Sequence, residues 1–163
     1  SYKEVVQKNI ITKEELRLGK IKYDDKILHR SRLLRYFNNE IDQKKAQKDF
    51  IRIYKKIKKN RKYFFSAKDL ALVESLARDG FEIPKELDYR EISKKYSIPS
   101  NLLELGKSKQ SAFLTLKLVE IIGEDEAYNL DPETIYFITH LLNQNNLKKI
   151  RNEILISALP QRS

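Results

Sequence analysis

Apolar residues recur along this chain every three or four positions and almost never alternate, which is the signature of helix throughout. Between Asp42 and Asn60, Ala46, Phe50, Ile53, Tyr54 and Ile57 share one stripe. Lys44, Lys45, Lys48, Arg52, Lys55, Lys56 and Lys59 take the rest of the wheel, predicting an amphipathic helix with a wet side. A second helix opens at Ser66, an N-cap followed three residues on by Asp69. It carries Leu70, Val73, Leu76 and Ala77 on one face before Gly80 ends it. Joined by "NRKYFF", the two make an αα-hairpin.

The same start and stop signals divide the remainder. Thr12 and Glu15 have capping-box spacing, predicting a short helix to Leu18 that stops at Gly19. Asp24-Asp25 opens a helix through Ile27, Leu28, Leu33, Leu34 and Phe37, with "NNEID" as its exit turn. "FEIPKEL" is an extended connector, because Pro84 disfavours helix at Ile83. Helical pattern resumes at Asp88 to Tyr96, Pro99 to Leu105 and Lys109 to Ile122. In "DPETIYFITHLLNQNN", Asp131 caps and Pro132 takes the first helical position, where its missing N–H is harmless. A last helix, Asn146 to Leu159, aligns Leu147, Ile150 and Ile154 before Pro160. With four Gly and no period-two runs bounded by hairpin turns, no sheet is expected. The predicted fold is all-α: about eight or nine helices in αα-hairpins, forming a solenoid-like array by rhythm, without a fixed repeat period.

Composition narrows the chemistry. A chain of 163 residues suits a single module with a real core. The absence of Cys removes disulfides and thiolate metal sites, and the richest apolar run, Ala112 to Gly123, carries Lys117 and Glu120, which predicts a core helix and no membrane span. Met is absent as well, so the chain is expected to be a fragment or processed form of a longer one. Two histidines, His29 and His140, lie far apart in sequence, and Glu124, Asp125 and Glu126 lack the spaced ligands of a cation loop. No nucleophile and base, metal set or glycine-rich phosphate cradle stands out, so neither an enzyme nor a cofactor is expected.

Charge is unevenly placed. Residues 1–66 hold 20 Lys+Arg against 8 Asp+Glu, whereas residues 67–163 hold 13 against 15, so the whole excess belongs to a basic first part followed by a near-neutral one. Its densest piece is "YKKIKKNRKYFF", where Lys55, Lys56, Lys58, Lys59, Arg61 and Lys62 are interleaved with Tyr54, Tyr63, Phe64 and Phe65. Aromatic anchors beside steering lysines suit an acidic protein partner. The same lysines could neutralise phosphates, making nucleic acid the alternative partner. A solvated face in a Lys-rich chain is the plainer account of the same charge.

Ser93 to Gly106, "SKKYSIPSNLLELG", has the outline of a helix-turn-helix about Ile98-Pro99. Its second helix would offer Ser100, Asn101 and Glu104 to base edges, without Arg or Gln in the first turn, so a structural corner is the better reading. The succession "FFSAKDLALVESLARDGFEIP", "NLLELGKSKQSAFLTLKLVEIIGED" and "LDPETIYFITHLLNQNNLKKIRNEILISAL" resembles the C-terminal helical region of uncharacterised alphaproteobacterial α-helical-repeat proteins. The resemblance runs from about residue 60 onward and implies an exported bacterial α-solenoid, with no activity attached. It transfers no functional residue.

Overall fold

A computed structural model describes residues 33–60, 63, 65–96, 113, 116, 120 and 130–159. Among the described residues every regular element is a helix: α1 (Leu33–Phe37), α2 (Gln43–Lys59), α3 (Ala67–Arg78), α4 (Tyr89–Ser93), α5 (Pro132–Gln144) and α6 (Lys148–Ala158). Positions 113, 116 and 120 are helical too. The all-α class therefore holds, while the first two predicted helices up to residue 32, the Pro99 to Leu105 helix and the Ile98-Pro99 turn lie outside the described residues.

The ends of the helices follow from a few side chains. Asp42 caps α2 by accepting from the Lys45 N–H at 2.8 Å, and Asp88 caps α4 by accepting from the Glu91 N–H at 3.1 Å. At α3 the capping box is complete: Ser66 Oγ accepts from the Asp69 N–H, and Asp69 Oδ2 accepts from the Ser66 N–H. Asp131 stands at the N-cap of α5 without a side-chain cap bond, leaving Pro132 as the feature that sets the start. Three helices stop in the same way, with a left-handed residue: Asn39 after α1, Gly80 after α3 and Asn146 after α5. In each, two backbone N–H groups fold back onto the last turn, as in Glu40 to Arg35, Phe81 to Leu76 and Leu147 to Leu142. Gly80, at φ +91, is the position where any side chain would strain the backbone.

The core sits between α3 and α5, whose facing residues Leu70, Leu72, Val73, Leu76, Ile135, Phe137, Ile138, Leu141 and Leu142 are all buried. Helix α6 closes against α5 as a hairpin and also reaches α1, so the first and last described helices touch. Helix α2 lies on this body through Ala46, Phe50 and Ile53. Its amphipathic stripe is the predicted one, with Tyr54 and Ile57 half-buried at the margin.

Leu147, Ile150 and Ile154 of the last helix all pack on the core, Ile154 buried and the other two half-buried, and the buried set of α6 adds Arg151, Asn152, Leu155 and Ala158. Arg151, which its charge would assign to solvent, is among the buried residues. Of the Ala112 to Gly123 segment, expected to be a core helix, positions 113, 116 and 120 are described, with Phe113 60% exposed and Leu116 39% exposed; the rest of that expectation lies outside the described residues. Positions 113, 116 and 120 share one side of a helix, and all three are exposed.

Candidate functional site

Helix α2 assembles the predicted basic surface. Its 17 residues carry eight cations and one acid, Asp49, with no acidic residue in the first turn. At 100° per residue the eight cations occupy an arc of about 160°, and Lys44, Lys48, Lys55 and Lys59 run in a file about 22 Å long. All eight are exposed. Arg52 is paired with Asp49 at 2.7 Å, whereas Lys44, Lys45, Lys48, Lys55, Lys56, Lys58 and Lys59 have no ionic partner among the described residues. The buried stripe beneath them holds the helix as a rigid rod. Because Phe50 and Ile53 are already in the core, α2 has no free apolar face to insert into a bilayer.

Part of this arrangement works against helix stability. Lys44 and Lys45 stand in the first turn, at the positive end of the helix dipole, and Lys44–Lys48, Lys48–Arg52, Arg52–Lys56 and Lys55–Lys59 are like-charge pairs at i,i+4. Lys56, Lys58 and Lys59 in the last turn are favourably placed.

The other proposed contact residues are distributed unevenly. The Tyr63 hydroxyl donates to Asp69 Oδ2 at 3.0 Å and Phe65 packs on the core, so both are half-buried and turned inward. Tyr54 is half-buried, and burial together with the nearby Glu86 charge raises its hydroxyl above the ordinary range. Arg61, Lys62 and Phe64 lie outside the described residues, as do His29, Glu124, Asp125, Glu126 and Ser97 to Gly106. In the polar positions of α2, Gln43 Nε2 donates to the Asp79 carbonyl at 3.2 Å. Gln47 pairs twice with the Glu82 backbone, donating to its carbonyl at 3.0 Å and accepting its N–H at 2.7 Å.

Two polar clusters escaped the sequence reading. Glu74 accepts from the Tyr136 hydroxyl at 3.2 Å and stands 2.6 Å from His140 Nδ1, linking α3 to α5 across the core. Tyr136 is buried, and desolvation with the Glu74 charge pushes its hydroxyl far above the ordinary range. Its ring tilts against Tyr96 and His140, so His140 takes part in packing. The second cluster centres on Arg151, whose side chain is 1% exposed. Its guanidinium meets Asp79 in a fork, Nη1 to Oδ1 at 2.8 Å and Nη2 to Oδ2 at 2.7 Å. Asn143 Oδ1 and Asn152 Oδ1 accept its other N–H groups. Tyr36 adds a hydroxyl to Asp79 at 2.7 Å, and Lys148 stands 3.4 Å from the same oxygen. Burial alone would raise the Asp79 carboxyl, but the bonds from Arg151 and Tyr36 and the charges of Arg151 and Lys148 outweigh it and hold it below the ordinary value. Spacing gives no sign of either cluster, since Asp79 and Arg151 are 72 residues apart.

Every donor of the Arg151 fork is matched, and no group of three or more His, Asp or Glu converges to hold a metal among the described residues. No described helix is long and apolar enough to cross a membrane. No family model, no curated protein and no solved structure matches the chain.

Proposed function

We propose that this protein is a non-enzymatic interaction module that binds a densely acidic macromolecule through the exposed face of α2. One observation carries the reading: seven lysines on a 17-residue helix stand exposed without an ionic partner among the described residues. Several occupy places that cost the helix stability, at roughly 0.2–0.5 kcal/mol for each like-charge pair. A surface kept only for solubility has no need of cations at the positive end of a dipole. A polyanion would relieve that repulsion and add counterion release.

The form of this reading in which aromatic anchors hold an acidic protein draws less support, because Tyr63 and Phe65 are committed to the fold. Solenoid-like stacking of αα-hairpins remains part of the proposal, supported by the α5–α6 hairpin and opposed by the closure of α1 onto α6.

Retention on an immobilised polyanion tests the proposal. K55E/K56E/K58E/K59E should elute at distinctly lower salt than K85E/R90E/K94E/K95E, which changes net charge equally on exposed residues outside α2. Equal loss from the two variants would assign retention to net charge alone and defeat the reading.

A further inference from the structure

We infer that the partner of the α2 face is the phosphate backbone of a nucleic acid, bound without regard to base sequence; the inference rests on the polyanion reading above. It follows from how the fold uses the other polar groups of the helix. Bases are read above all by bidentate contacts: Arg or Lys on guanine, and the amides of Asn and Gln on adenine. Helix α2 has two Gln and one Arg; both Gln amides are bonded within the fold, and the exposed Arg52 is paired with Asp49. The Gln43 and Gln47 amides are bonded to the backbone at Asp79 and Glu82, and the Arg52 guanidinium is held by Asp49 at 2.7 Å. The helix therefore offers no free amide pair for adenine, and its ammonium groups are point charges suited to phosphates.

The same inventory separates phosphate from acidic protein. Protein interfaces are built on Tyr, Trp, Phe, Met and Arg and are poor in Lys. The described α2 face is the reverse, with seven Lys and with Tyr54 half-buried at its margin. Lys44, Lys48, Lys55 and Lys59 lie along a straight edge whose length suits the regular charge of a nucleic-acid strand, and the core beneath fixes that edge before binding.

The test is fluorescence anisotropy with the whole chain and three labelled probes: two short DNA duplexes of unrelated sequence, and a poly-glutamate of equal charge. The duplexes should bind alike within about twofold. Four phosphate contacts should cost roughly 150-fold in affinity between about 50 and 200 mM salt. Poly-glutamate should bind at least tenfold more weakly, and K44E/K48E/K55E/K59E should bind neither duplex while keeping the wild-type helical circular dichroism. If that variant does not fold, K44Q/K48Q/K55Q/K59Q serves, with a clearly shallower salt dependence expected. Poly-glutamate binding as tightly as DNA, or a tenfold preference between duplexes, overturns this inference and leaves the polyanion reading standing. Absence of binding to all three probes, or duplex binding unchanged in both variants, overturns both.

Discussion

Replacing Arg151 by Met tests the polar centre of the fold. The substitution keeps much of the side-chain volume and removes the guanidinium from Asp79, whose own side chain is 4% exposed. The carboxylate keeps the Tyr36 hydroxyl and Lys148, but it loses two short charged hydrogen bonds, and the Asn143 and Asn152 oxygens lose their donor. Breaking a buried pair from one side costs about 3–5 kcal/mol. Lys148, 58% exposed and 3.4 Å away, recovers part of this, which places the expected loss at about 3 kcal/mol. That is a large share of the 5–15 kcal/mol typical of a domain, and it should lower the melting temperature by roughly 6–12 °C. The double variant R151M/D79N removes both charges and should recover about half of the loss or more, because the uncompensated carboxylate is what makes the single change severe. Urea unfolding followed by circular dichroism at pH 7, taken as a double-mutant cycle, gives all the values needed. A loss below about 1 kcal/mol for R151M, or a double variant no better than the single, would refute the account of Asp79 and Arg151 as a buried, mutually dependent pair.

Other outcomes follow from the same geometry. Asp79 has its carboxyl held below the ordinary value of 3.8, so its contribution is complete above that pH and is lost as pH falls through the depressed folded value; urea midpoints measured from pH 7 to pH 2.5 should show a fall that D79N reduces. Ser66→Ala removes half of the α3 capping box and should cost about 1 kcal/mol, whereas Asp69→Ala should cost more, since that buried carboxylate also accepts from Tyr63. Both are read from the same denaturation curves. Gly80→Ala meets only Gln43 Nε2 at 3.6 Å, an ordinary contact, so its loss of about 1 kcal/mol should come from the left-handed backbone, and Gly80→Asn should be milder. Raising salt from about 50 to 200 mM should raise the melting temperature of the free protein and not that of K44Q/K48Q/K55Q/K59Q, because screening relieves repulsion along α2; equal response of the two would show that the lysines do not repel one another appreciably.

Local grammar was the legible part of this molecule. The α2 stripe, the Ser66 capping box and the Gly80 stop each depend on residues within a few positions of one another, and the folded chain shows all three. What spacing could not show was set by distant partners. Arg151 reads as a solvent residue until a carboxylate from residue 79 stands opposite it, and with that partner it is buried on α6. Gln43 and Gln47 look like free polar side chains in a wet helix until the α3–α4 connector arrives to bond them. The basic surface itself could be read from the chain. The inward turn of Tyr63 could not, because it depends on a buried acid in the next helix.

The packing of α1 on α6 has a consequence for how the molecule comes apart. Lys148 reaches the Tyr36 hydroxyl at 3.5 Å and its ammonium lies over the Tyr36 ring, while the Arg151 guanidinium lies over Phe37, contacts that close a loop of more than a hundred residues. Closing so long a loop carries an entropy cost that helices already in place must offset, so this contact is expected to form late. An open array can fray from either end, one hairpin at a time. Here, peeling away α6 would take from α1 one of its two packing partners, α2 being the other, and would expose the Asp79 carboxylate in the same event, so these widely separated segments should gain and lose hydrogen-exchange protection together.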